Sequence, residues 1–187
     1  MEKQKEIEKL HREIKQCKKC SLWKTRTKAV PGEGPVNAKM IFIGMAPGRK
    51  EDKIGRPFVG RAGQLLDQLL KIAAINRKKV FITSPLKCLP TPPPNRKPKK
   101  EEIAACLPYL LEQIDIINPQ KVILLGEVAF SIFFPKQKLN EFRGHWLKKE
   151  GRQFFITYHP AAGIRFTKFK RILENDFHHI GVFKLEA

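Results

Sequence analysis

The sequence contains no apolar run that approaches the roughly 20 residues of a membrane-spanning helix. Its N-terminal stretch, MEKQKEIEKLHREIKQ, is a charged helical pattern without the composition of a secretion signal. It shows no internal repeat, no Walker A phosphate loop and no dinucleotide-binding fingerprint. These absences predict a single domain over residues 1–187 with no membrane partner. The expected location is the cytoplasm, where cysteines are metal ligands or reduced thiols and not disulfides.

Acidic residues are also scarce. Only 18 of the 187 residues are Asp or Glu, against 37 Lys or Arg, so the formal net charge is +19. Such an excess predicts a polyanionic partner, and nucleic acid is the first candidate. The alternative is a lysine-rich surface that only keeps the protein soluble.

Four short apolar runs predict strands, with helical patterns before, between and after them. The strands are predicted at Met40–Ile43, Val80–Thr83, Val122–Leu125 and Phe154–Thr157, and the helices at 2–15, 62–74, 100–117, 126–133 and after 165. The alternation predicts an α/β fold: a three-layer α/β/α sandwich around a four-stranded, mainly parallel sheet. Ligands of such folds bind beyond the carboxyl ends of the strands, so the residues that follow the strands should line one cleft.

Two segments stand out between these elements. A glycine-rich loop runs from Gly44 to Gly63, with Phe58 in its middle, and a helix starts at Ala62. Strand, glycine-rich loop and helix in succession bring backbone amides close to a ligand. The second segment, LPTPPPNRKPKK at 89–100, is too rich in proline for helix or strand and predicts an extended basic loop, either a solvated connector or a contact to DNA.

The four cysteines form one Cys-x-x-Cys pair, Cys17 and Cys20, and two distant single residues, Cys88 and Cys106. A close pair suits one metal centre. The missing second pair makes a zinc ribbon a poor match, while iron–sulfur ligands tolerate irregular spacing. From spacing alone, zinc, a cluster and two unrelated features all remain open.

The loop after the first strand carries a family resemblance. Gly44-Met45-Ala46-Pro47-Gly48, Glu51-Asp52 and the stretch GRPFVGRAG at 55–63 resemble the first motif of the family 4 uracil-DNA glycosylases, the iron–sulfur, thermophile-type members of their superfamily. His159-Pro160-Ala161-Ala162 is similar to the second motif. The resemblance implies a uracil-DNA glycosylase-like fold and a [4Fe–4S] cluster on Cys17, Cys20, Cys88 and Cys106. It also implies a monofunctional, monomeric enzyme at the nucleoid of a prokaryotic cell that excises uracil or other deaminated bases from DNA and so starts base excision repair.

The same resemblance assigns roles to individual residues. His159 would stabilise the departing base by donating to its O2, and Phe58 would stack on the extruded base. Met45 and Ala46 occupy catalytic positions. The remaining substrate-binding positions are Gly44, Pro47, Gly48 and Ser84, and the DNA-binding positions are Arg165 and Lys168.

Three positions depart from the family pattern. Met45 replaces the usual glutamate, and Ala46 stands where the best-known superfamily members keep a water-activating aspartate, which family 4 itself lacks. Ser84 replaces the asparagine that reads the uracil edge, and its surroundings resemble the family 5 relatives of broader specificity. Serine has a single hydroxyl, so relaxed exclusion of bases such as hypoxanthine is expected. Two alternatives stay open: a same-fold enzyme with another main substrate, and a non-catalytic nucleic-acid-binding iron–sulfur protein.

Overall fold

The computed structural model describes residues 2–92 and 96–183, and this part of the chain contains a five-stranded sheet. The strands are β1 Met40–Ile43, β2 Phe81–Thr83, β3 Lys121–Leu125, β4 Trp146–Lys149 and β5 Arg152–Thr157. Their spatial order is β2-β1-β3-β5-β4, and neighbouring strands are parallel except β4 and β5. All residues of β1, β2 and β3 are buried, as expected for parallel strands covered on both faces.

Helices cover both faces of this sheet. They are α1 Glu2–Gln16, α2 Arg49–Ile54, α3 Arg61–Ile72, α4 Lys100–Ile117, α5 Glu127–Phe133, α6 Leu139–Phe142, α7 Pro160–Arg165 and α8 Thr167–Phe183. Along β1, Ile41 and Ile43 pack with α1, α4 and α5, while Met40 and Phe42 pack with α3 and α8. The predicted α/β/α class is therefore confirmed. Across the described residues, no helix is both long and apolar enough to cross a membrane.

The predicted strand count was wrong by one. The fifth strand, β4, pairs antiparallel with β5 at the sheet edge through a turn at Glu150 and Gly151, both with positive φ. Its sequence, WLKK, ends in two lysines and so shows no apolar run, and the strand is only half-buried. Lysines are common on edge strands because they oppose pairing with a second sheet.

The glycine-rich loop also contains an unpredicted element. Helix α2 begins after Gly48 and ends at Gly55, which has the left-handed φ of +84°. Six residues are too few for a helical periodicity to show in the sequence. The predicted 89–100 loop falls partly on residues 93–95, which lie outside the described residues. Beyond them, Arg96 forms an ion pair with Glu102 near the start of α4.

We predict that Asp176→Ala will lower the free energy of unfolding by about 1–3 kcal/mol. Asp176 is 4% exposed and accepts hydrogen bonds from Thr157 Oγ1 at 2.6 Å and Arg143 Nη1 at 2.7 Å. Both donors would lose this buried acceptor. The control is Asp115→Ala, since Asp115 is 76% exposed and 3.9 Å from Arg152, and its removal should cost at most about 1 kcal/mol. Denaturant unfolding measures both, and equal losses would contradict the prediction.

Candidate active site

The segments that follow β1, β2 and β5 meet at the carboxyl edge of the sheet and line one open cleft of about 560 Å³. Most of the predicted site residues line it: Met45, Ala46, Pro47, Gly48, Phe58, Ser84, His159 and Arg165. Gly44 lies against the Phe58 ring at the end of β1. Lys168, in the first turn of α8, is not among the residues that line the cleft.

His159 precedes α7 and presents a defined tautomer. Its Nδ1 accepts a hydrogen bond from the backbone N–H of Ala161 at 3.1 Å. A ring nitrogen that accepts carries no proton, so in the neutral ring the proton lies on Nε2. Burial lowers the pKa of His159 from 6.5 to about 4, and Glu51 has a smaller opposite effect. At neutral pH the side chain is therefore an uncharged imidazole with an Nε2–H donor.

Two glycines at neighbouring strand ends make room for His159 and for the Phe58 ring. A Cβ on Gly126, which follows β3 with φ +90°, would lie 2.9 Å from the Cβ of His159. A Cβ on Gly44 would lie 2.7 Å from the Phe58 ring and 3.6 Å from Nε2 of His159. A side chain at either position would displace the residues that face the cleft.

Phe58 stacks on His159, with ring centroids 5.6 Å apart and an interplanar angle of 26°. Its backbone has φ +51°, a left-handed conformation that costs a non-glycine residue on the order of 1 kcal/mol or more. Gly63 allows the close approach behind it, because a Cβ there would lie 1.9 Å from the Phe58 carbonyl oxygen. The ring is thus held in the cleft by a strained but well-supported loop.

The two carboxylates of the first motif hold this loop together. Glu51 accepts backbone N–H bonds from Val59 at 2.8 Å and Gly60 at 2.7 Å through one oxygen, and from Gly48 at 3.1 Å through the other. Both oxygens of Asp52 accept the N–H of Thr27 at 3.1 Å. The sequence showed two adjacent acids but not these partners, of which only Thr27 is distant along the chain. Among the residues that line the cleft, Glu51 is the only one with a carboxylate, and its oxygens are engaged.

Ser84, at the end of β2, is 6% exposed and donates its hydroxyl proton to the carbonyl of Leu86 at 2.6 Å. With that proton engaged, its oxygen can act toward a ligand only as an acceptor. An asparagine amide would offer a donor as well. The relaxed base exclusion expected from Ser84 stays a prediction.

All four cysteines line one narrow pocket between α1, α4 and the segment after β2. Cys88 Sγ accepts a hydrogen bond from Arg26, and Cys17 Sγ accepts one from the N–H of Lys19, both at 3.4 Å. Burial raises the pKa of the Cys106 thiol to about 11, while the nearby Lys87 lowers it. Within residues 2–92 and 96–183, no three His, Cys, Asp or Glu side chains come close enough to hold one metal ion.

The four cysteine sulfurs in this pocket are a donor set that fits an iron–sulfur cluster, and a four-cysteine zinc site uses the same donors.

The rim of the cleft is basic. Its exposed cationic residues are Arg49, Lys50, Arg61 and Arg165. Next to Arg165 is Phe166, which at 60% is the most exposed large apolar side chain among the described residues and which the sequence analysis did not single out. Its ring rests edge-on against Phe169, and Phe169 in turn contacts Tyr158, the residue before His159.

We predict that the His159 imidazole is neutral at neutral pH, with its proton on Nε2, and titrates near pH 4. Two-bond ¹H–¹⁵N NMR measures both properties, with His159→Gln to assign the signals. The unfolded chain binds this proton near pH 6.5 and the folded chain only near pH 4, so this histidine makes the protein less stable as pH falls between these values. His159→Gln should remove that share of the acid sensitivity. A titration midpoint near 6.5 would contradict the prediction.

Comparisons with known proteins agree with this geometry. Residues 31–177 match the model of the uracil DNA glycosylase superfamily. The chain is 47% identical to the type-4 uracil-DNA glycosylase of Sulfurisphaera tokodaii, over 93% of this chain and 83% of that protein. It is 44% identical to the type-4 enzyme of Pyrobaculum aerophilum, over 86% and 85%, but only 27% identical to the type-5 enzyme of the same organism, over 79% and 72%. The chain therefore belongs to the type-4 uracil-DNA glycosylase family.

Proposed function

We propose that this protein is a monofunctional DNA glycosylase that flips uracil out of DNA and hydrolyses its N-glycosidic bond, which starts base excision repair. The observation that carries the proposal is the neutral His159, which offers Nε2–H beside the stacked Phe58 in a cleft with a basic rim. The relatives at 44–47% identity bear the name of this activity. We place its action at the nucleoid of a prokaryotic cytoplasm, as a monomer.

The chemistry follows from these groups. When the bond between C1′ and N1 breaks, its electron pair stays on the base, and the sugar becomes an oxocarbenium ion. His159 donates to O2 of the departing base and stabilises charge that appears only as the bond breaks. Water then adds to C1′ and loses a proton, and the uracil anion takes one up. Because the Glu51 oxygens are occupied by backbone amides, this water attacks C1′ of the cation without help from a carboxylate base of the cleft.

The base would be held from several sides. Phe58 stacks on its face, worth about 1–3 kcal/mol by analogy with other base–aromatic contacts. The walls come from Gly44, Pro47 and Gly48, and the backbone of Met45 and Ala46 borders the base and the reacting bond. Ser84 Oγ, as an acceptor, suits the ring N–H of uracil.

Hypoxanthine is a second candidate substrate because Ser84 offers only an acceptor. The ring N–H at the pairing edge of hypoxanthine meets that acceptor as the N3–H of uracil does. Cytosine has an unprotonated ring nitrogen there, so two acceptors would face each other and this base would be rejected.

DNA would bind across the basic rim. Arg165 and Lys168 are exposed on consecutive helices, and they would contact phosphates near the flipped nucleotide. Phe166 stands between them, and an exposed aromatic at this point suits the gap that the extruded base leaves in the stack.

The first test is incubation of the protein with oligonucleotides that contain uracil, hypoxanthine or cytosine, followed by alkali to cleave abasic sites. We predict cleavage at uracil, weaker cleavage at hypoxanthine and none at cytosine. His159→Ala should reduce the single-turnover rate on uracil by about 10²–10³-fold, because one transition-state donor is lost. Lys136→Ala, at an exposed position in the α5–α6 connection, is the control. A shift in DNA mobility without any cleavage would support the non-catalytic alternative instead.

We also propose that Cys17, Cys20, Cys88 and Cys106 hold a [4Fe–4S] cluster with a structural role, tying α1 and α4 to the segment after β2. Anaerobically purified protein should be brown and contain about four irons and four sulfides per chain. Cys88→Ala and Cys106→Ala should lower both the iron content and the Tm. Stoichiometric zinc without iron would contradict the assignment.

A further inference from the structure

Lys87 is a buried cation at an unusual place. Its side chain is 1% exposed, and it lies between Ser84, which lines the cleft, and Cys88, which lines the cysteine pocket. Its Nζ donates three hydrogen bonds of 2.7 Å each, and all three acceptors are neutral oxygens: Thr83 Oγ1, the Ser84 carbonyl and Gln113 Oε1. None of these contacts is with a carboxylate.

A buried ammonium without an anion is costly, because hydrogen bonds to neutral groups replace only part of its hydration, and burial lowers the pKa of Lys87 from 10.5 to about 7. The groups able to carry the missing negative charge are the cysteines. Lys87 also lines the cysteine pocket, and its positive charge lowers the pKa of the Cys106 thiol. Four thiolates around a [4Fe–4S] centre bring more negative charge than the metal neutralises, so a loaded centre would supply the counter-charge.

The same ammonium also holds the end of β2. It binds Thr83 through the side chain and Ser84 through the carbonyl, and Ser84 lines the base pocket. The carbonyl of Thr83 in turn accepts the N–H of Gly44 at 2.9 Å, where the glycine-rich loop begins. A continuous set of short contacts thus leads from the cysteine pocket to the two loops that enclose the base.

We propose that Lys87 is a positioning residue that couples the two sites: its ammonium balances the charge of the loaded cysteine centre and fixes the β2 end that forms the wall of the base pocket. This inference rests on the proposed cluster and glycosylase activity. It assigns Lys87 no contact with the substrate. Through Lys87, the presence of the cluster affects the base pocket, although the cluster takes no part in the chemistry.

Two substitutions separate the charge from the hydrogen bonds. Lys87→Gln removes the charge and keeps N–H donors, whereas Lys87→Met removes both at similar length. Lys19→Met is the matched control, because Lys19 lines the same pocket but is exposed and lies over the Tyr109 ring. The cluster readouts are its midpoint potential, measured without DNA, and the rate of iron release to a chelator.

We predict that both Lys87 variants shift the potential to more negative values, because a nearby cation favours the reduced cluster. They should also lose iron roughly 10–100-fold faster than the parent protein, as is typical when a group that supports metal ligands is removed. Lys19→Met should change both readouts much less. Unchanged potentials in the two Lys87 variants would overturn the charge role.

The base pocket has its own readout in single-turnover kinetics on uracil-containing DNA, with variants matched for iron content. Lys87→Met should lower the rate about tenfold, since the β2 end loses three hydrogen bonds, and Lys87→Gln should lower it less. A shifted potential with parental kinetics in Lys87→Met would overturn the coupling.

If neither Lys87 variant folds, Thr83→Val tests the same contact without removing a charge. It should lower the single-turnover rate and leave the potential unchanged, and a parental rate would overturn the coupling. Failure of the proposed function itself is visible beforehand, as absence of iron or of uracil excision in the parent protein.

Discussion

The close approach of the Phe58 ring to the end of β1, and of His159 to the end of β3, is the constraint on which the cleft depends. It requires glycine at positions 44 and 126, since a Cβ at either would meet Phe58 or His159 below normal contact distance. The Ala161 N–H fixes which nitrogen carries the proton, and burial keeps the ring neutral. A neutral donor is suited to a leaving anion because it need not be desolvated as a cation in the ground state.

The loop that carries Phe58 is held by a carboxylate that the family pattern alone does not explain. Glu51 accepts three backbone N–H bonds from two separate parts of the loop, and Phe58 lies between those parts in a left-handed conformation. The hydrogen bonds offset the backbone strain and orient the ring toward His159. Glu51 is therefore part of the support of the Phe58 ring, and in the proposed chemistry it does not act as a base.

The sequence predicted the long and periodic elements, and it missed the short or interrupted elements and the individual hydrogen bonds. Four buried strands and the long helices follow from apolar periodicity, and the meeting of their carboxyl ends follows from parallel topology. The edge strand β4 escaped because its two lysines interrupt any apolar run, and α2 because six residues are too short. The backbone partners of Glu51, the hydrogen bond from Ala161 to His159 and the burial of Lys87 are details of the folded backbone that a pattern of residue types does not show.

The short segment from β2 to Cys88 links the cleft to the cysteine pocket. Every residue from Val80 to Pro90 is buried, and within this run Ser84 faces the cleft while Cys88 faces the cysteine pocket. Three residues lie between the two positions, too few for one end to move without the other in a close-packed interior. The ammonium of Lys87 lies inside this short segment and bonds its own strand end. Under the proposed roles, whatever stabilises the cysteine centre would also restrict the wall of the cleft that Ser84 forms.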